Sequence, residues 1–206
     1  MATDLDQLAS PAHTALLTME MQRGITGDLA MMTELRDQMV AAGTIANVAA
    51  LAEAARSAGV RVVHCTAETR ADGAGRVDNC RLLAATAAGA AQLRPGSEAA
   101  ALIPELGAHE ADIVLPRLHG LTPFTGTSLD QILRNLGVTT IVATGNSVNV
   151  GILGLVLSGV DLGYQVVVPR DAVAGIPADY ADSVLANTVS LLATLTTTEQ
   201  LQSAWR

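Results

Sequence analysis

The chain has 206 residues, a length that suits one α/β domain, because two cores cut from it would each have too little interior for their surface. A formal net charge of -8 and a sequence pI near 4.8 argue against nucleic acid or an anionic membrane as partner, since both select clustered Lys and Arg. All 12 basic residues are arginine, so lysine Schiff-base chemistry and the phosphate lysine of a P-loop are excluded outright.

Half of the residues are apolar but only Phe124, Tyr164, Tyr180 and Trp205 are aromatic, so the core must be built from Ala, Val, Leu and Ile. Residues 1–12 mix charge with Ser and Pro and read as a flexible arm. Residues 14–19 are short, apolar and β-branched enough for a buried strand, and 61–64 and 112–115 look similar. Between the first two, 44–58 places Ile45, Val48, Leu51 and Ala55 on one helical face and ends at Gly59, a C-terminal cap.

From Arg70 to Pro104 the periodicity is weak, which predicts an irregular crossover with a helix at 81–91; a lid or an oligomer contact is the alternative. Residues 127–130 read as a capping-box-like start for a helix that turns Leu129, Ile132, Leu133 and Leu136 inward and stops at Gly137. Strands at 138–144 and 165–168, a weaker one at 193–197, and helices at 148–162 and 180–192 complete the series. Strands alternating with helices predict a mostly parallel sheet with right-handed crossovers.

The start lacks a charged segment followed by an apolar one, and the longest apolar stretch, 150–160, is broken by Gly151, Gly154, Ser158 and Gly159. The expectation is a soluble cytoplasmic protein whose Cys65 and Cys80 are reduced thiols.

Ligands of open parallel sheets bind beyond the carboxyl ends of the strands. The residues expected there are Glu20, His64 and Cys65, Arg117 with His119 close by, and the turn 145–149. Glu20 interrupts a strand-like run and needs a partner, for which Arg117 is the natural candidate; an ordinary ion pair at a sheet end is the plainer alternative. The turn Gly145-Asn-Ser-Val-Asn149 links strand to helix, so its backbone N–H groups can hold an anion or simply form a tight capped turn. It is not G-x-G-x-x-G, and His13, His64, His109 and His119 show no paired ligand spacing, so neither a dinucleotide nor a metal is expected. His119 either lines a pocket or sits solvated in a loop, and Cys65 fits a small buried thiol better than a displaced nucleophile.

Three landmarks resemble the isochorismatase-like, or cysteine hydrolase, superfamily over nearly the whole chain: Ala15-Leu-Leu-Thr-Met-Glu-Met-Gln22, the segment 115–129 with Phe-Thr-Gly-Thr-Ser-Leu, and Ile141-Val-Ala-Thr-Gly-Asn-Ser-Val-Asn-Val-Gly151. The resemblance implies a three-layer, Rossmann-like α/β fold with a six-stranded parallel sheet, a homodimer or homotetramer, a small-molecule substrate and no cofactor. It places Glu20 where the family has Asp, Arg117 where it has Lys, and Gly151 where amidohydrolase members have Cys. Isochorismatases proper are similar in having glycine there, and they cleave a vinyl ether with water.

The implied activity is hydrolysis without a cysteine nucleophile, in which Glu20 serves as acid or base, Arg117 clamps an anion and Gly151 leaves space for substrate or water. Gln22, His64, His119, Phe124, Asn146, Ser147 and Asn149 are candidates to contact the substrate, and the resemblance places a cis peptide at Asn146-Ser147. A family member that binds a small carboxylate, or serves as an assembly subunit, without turnover is the alternative.

Overall fold

The computed structural model describes residues 4–87, 92–107 and 109–206. Its sheet is parallel throughout: β1 (Thr14–Met19), β2 (Arg61–Ala67), β3 (Ile113–Arg117), β4 (Thr140–Asn146), β5 (Gln165–Pro169), β6 (Val173–Ala174) and β7 (Thr194–Thr196). The order is β3-β2-β1-β4-β5-β7, with the two-residue β6 against the end of β4. The predicted six-stranded sheet is present, and β6 is an addition too short to leave a periodic signal.

Alternation along the strands builds two apolar layers. Ala15, Leu17 and Met19 of β1 face one side with Val63, Cys65, Ile141 and Ala143, while Leu16, Val62, Val142 and Val167 face the other. The first face is covered by α5 (Leu129–Asn135), α6 (Leu153–Asp161) and α7 (Ala178–Asn187). The second is covered by α1 (Leu5–Leu8), α2 (Thr33–Ala41), α3 (Thr44–Ala58) and α8 (Thr198–Ala204). In α3 the predicted stripe is correct, with Val48, Leu51 and Ala55 fully buried, and Gly59 caps the helix at φ 77°.

Several expectations need correction. The opening segment is no free arm over residues 4–9, because α1 buries Leu8, and Ala9 accepts a 2.8 Å hydrogen bond from the Trp205 indole. The full capping box lies at Thr197 and Gln200, at the start of α8; at 127–130 only half of one forms, the Thr127 hydroxyl accepting from the Leu129 N–H (3.2 Å) while it donates to the Pro123 carbonyl, and Asp130 turning to Tyr164 and Arg134. The crossover helix α4 covers only Arg81–Ala85, and the end of the predicted 81–91 segment lies outside the described residues. No described helix is long and apolar enough to cross a membrane.

Candidate active site

The chain runs from β1 toward one edge of the sheet and resumes at β4 toward the other, so the strand order reverses between β1 and β4. A crevice forms at such a reversal because the connections leave in opposite directions. Glu20 follows β1 there, and the turn after β4 faces it.

Glu20 has φ 54°, a left-handed conformation that non-glycine residues seldom adopt and that clusters at functional sites. Its N–H donates to the Cys65 carbonyl (2.9 Å), and its own carbonyl accepts from the Gln22 N–H (2.8 Å) and the Asn146 Nδ2 (3.3 Å). Its carboxylate takes a charge-assisted hydrogen bond from Nη2 of Arg117, the last residue of β3. Arg117 is only 6% exposed; its Nε donates to the Gly120 carbonyl (3.1 Å), and its Nη1 is buried without a partner. An orphan guanidinium nitrogen beside a carboxylate is a donor in search of an acceptor.

Cys65 lies near the pair but is sealed in the core, and burial pushes its thiol up to about 12; Arg117 draws it down and Glu20 pushes it up. So protonated a thiol is a poor nucleophile.

Beyond β4 the Asn146-Ser147 peptide is cis, where the resemblance puts it, and residues 148–152 form a π-helical turn leading into α6. Gly145, at φ 102°, lies so close to Met19 that a side chain there would strike the Met19 backbone. Gly151 does not leave the predicted space: a Cβ on it would come within 2.9 Å of the Asn146 carbonyl oxygen and 3.3 Å of the Met19 methyl. The Met19 methyl packs against this position.

Several candidate contacts are engaged elsewhere. Gln22 is fully buried and its amide bonds only to backbone: Nε2 to the carbonyls of Ala67 and Ala100 (2.9 Å each), and Oε1 to the Ala67 N–H (2.7 Å). His64 is fully buried, with Nδ1 2.8 Å from the Thr18 hydroxyl and Nε2 3.0 Å from Asp112, which precedes β3 at the opposite end from Arg117. Phe124 stacks on Tyr164, centroids 6.0 Å apart, as part of the packing around α6.

Asn146 is 1% exposed and donates to the carbonyls of Met19 (3.2 Å) and Glu20, so it ties β4 to the end of β1. Asn149 donates a long 3.4 Å bond to the Ile176 carbonyl, and its Oδ1 packs toward Gly175. Ser147, half-buried in the turn, and His119, exposed against Gly126, have no such commitments.

Glu68 was missed. It follows β2 directly, its N–H donates to the Arg117 carbonyl (2.9 Å), and burial raises its carboxyl above the ordinary value. Its place was not legible because the strand extends three residues past the predicted end at His64.

Cavities of about 270 Å³ and about 200 Å³ open elsewhere, the first beside Arg56 and Asp112 and the second beside Val148 and Arg170; neither is lined by Glu20, Arg117 or Gly151. Among the described residues, no three His, Cys, Asp or Glu side chains gather as a metal site would require.

The profile of the isochorismatase domain matches residues 14–200. An uncharacterized isochorismatase family protein, YecD, of Escherichia coli O157:H7 is 30% identical over 100 residues, a match spanning 48% of this chain and about half (52%) of that relative. A cysteine hydrolase from Pseudomonas syringae pv. phaseolicola 1448A superposes with a TM-score of 0.80 at 24% identity, covering 100% of this chain and 98% of the other. An isochorismatase family protein from Burkholderia thailandensis gives 0.76 at 26% identity, covering 94% and 96%. With the profile spanning nearly all of the sheet and its helices, the chain belongs to the isochorismatase family of hydrolases.

Proposed function

We propose that this chain hydrolyses a small molecule without a cysteine nucleophile, by carboxylate-assisted water chemistry at Glu20 and Arg117. The observation that carries this reading is the buried Glu20–Arg117 pair, in which Arg117 keeps an unpartnered Nη1 and Glu20 keeps a left-handed backbone. Arg117 orients a carboxylate or carbonyl oxygen of the substrate through Nη1, while Glu20, fixed in place by Nη2, accepts a proton from the attacking water and returns it to the leaving oxygen or nitrogen as the C–O or C–N bond breaks. Cleavage that begins with water attack on a C–O or C–N bond matches this arrangement. Vinyl-ether cleavage begins instead with a proton delivered to carbon, a step that asks Glu20 to act as the acid.

A second reading, a family member that binds a small carboxylate without turnover, draws support from the filled space at Gly151 and from cavities that open away from the pair. A panel of small amides, esters and vinyl ethers, including α-phenoxyacrylate, tested with wild type and Glu20→Gln separates the two. Turnover that falls by about 10²–10⁴-fold in the variant is the expected result. Turnover indifferent to the change would remove Glu20 from the mechanism, and saturable binding with no turnover would favour the second reading.

A further inference from the structure

Period-2 alternation makes a specific demand on Glu20. In β1 the odd positions Ala15, Leu17 and Met19 pack on one face of the sheet, whereas Leu16 packs on the other. Continued regularly, β1 would turn Glu20 to the face of Leu16. Arg117 lies at the end of a strand whose Ile113 and Leu115 pack on the face of Met19. A regular strand would thus part the carboxylate from the guanidinium, and the left-handed residue at φ 54° is what brings them together. For a residue with a Cβ this conformation costs about 1–2 kcal/mol, so it persists only where neighbouring contacts impose it.

Those contacts converge on Gln22. Its N–H holds the Glu20 carbonyl at 2.8 Å. Its side chain clips Ala67, the last residue of β2, and Ala100, near the far end of the crossover to β3. Its backbone forms an antiparallel bridge with Leu102, flanked by bonds from Arg23 N–H to the Ala101 carbonyl (2.9 Å) and from Ile103 N–H to the Met21 carbonyl (3.1 Å). All of the amide's bonds go to backbone, and none of it is exposed to a ligand.

We infer that Gln22 is a positioning residue: by fastening both ends of the β2–β3 crossover to the segment after β1, it holds Glu20 in the left-handed conformation that delivers its carboxylate to Arg117. The inference rests on the Glu20–Arg117 pair being the working site, as proposed above, but its structural half stands apart from activity.

Gln22→Met keeps the volume and removes all three side-chain bonds. Hydrogen exchange of the full-length protein is expected to speed up by about tenfold or more at residues 20–24 and 67–69, with β4 unchanged. Unchanged exchange at both segments overturns the clip, whether or not any compound is hydrolysed. In turnover, on the panel compound hydrolysed fastest by wild type, Gln22→Met is expected to lower kcat by about tenfold with little change in KM. In a Glu20→Gln background it should lower kcat less than about twofold, because it acts only through Glu20. Equal losses in both backgrounds would reduce Gln22 to a general stabiliser. Leu133→Ala, a core variant on the far helix α5, controls for lost stability and should leave kcat in place. If wild type hydrolyses nothing, the proposed activity fails while the exchange result still decides the clip.

Discussion

Two buried ion pairs lie at opposite ends of the five-residue strand β3, and they are built to different rules. At the amino end, Asp112 is bonded by Arg56 Nη2 at 2.6 Å and lies 3.0 Å from His64 Nε2, and His64 closes the chain on the Thr18 hydroxyl. Arg56 also donates to the Leu106 carbonyl at 2.8 Å. Burial alone would raise the Asp112 carboxyl, but Arg56 and His64 outweigh it and hold it below the usual range. At the carboxyl end, Arg117 leaves Nη1 without a partner and Glu20 sits on a strained backbone. A satisfied network stabilises the fold, whereas an unsatisfied one gives up stability to keep groups ready for a ligand. The Thr18–His64–Asp112 chain has the connectivity of a hydrolytic triad, yet Thr18 and His64 are wholly buried, so no substrate reaches it.

The largest test of this contrast is Asp112→Ala, which takes from Arg56 and His64 their shared acceptor while Arg56 keeps the Leu106 carbonyl and Glu53, and should cost about 3 kcal/mol in urea unfolding, with no change in turnover per folded molecule. Lost turnover without lost stability would reverse the roles of the two ends. Next, Gly151→Cys forces a side chain against the Asn146 carbonyl and should cost about 1–3 kcal/mol. It should not create a thiol enzyme, and intact mass after exposure to the amides of the panel checks for the covalent adduct that would contradict this.

The third test is pH. Burial lowers the affinity of His64 for a proton below its ordinary value of 6.5, with Asp112 opposing. Between the folded and unfolded values the unfolded chain binds more protons, so stability is full above about 6.5 and declines as pH falls toward the folded value, by at most about 1.4 kcal/mol per pH unit. His64→Gln should flatten that slope in urea titrations across the window; an unaltered slope assigns it to another group. The smallest effect is expected from Glu20→Gln, which should cost about 1 kcal/mol in the same titrations, because the amide oxygen can still accept from Arg117 Nη2 and only the charge of the pair is lost.

Much of this was legible from residue order. Val48, Leu51 and Ala55 announced α3 by their spacing, and the charge of Glu20 in an apolar run required the partner that Arg117 provides. Other features left little trace. Residues 33–41 form α2 with only Leu35 and Met39 buried, too sparse a stripe to read. His64 sits one residue from Cys65 in a run that promised a site, but alternation turns the two to opposite faces, and only the partner at Asp112 shows which way His64 points.

The sequence by itself determined the parallel α/β architecture, the absence of lysine chemistry and the charges of the candidate pair, because these depend on periodicity and on residue identity. Only the tertiary structure decided that Gly151 is packed against Met19, that Gln22 bonds to backbone, and that Glu20 leaves strand geometry to meet Arg117. Each of these depends on segments far apart in the chain, Met19 with Gly151 and Gln22 with Ala67 and Ala100, and on a backbone angle those contacts impose.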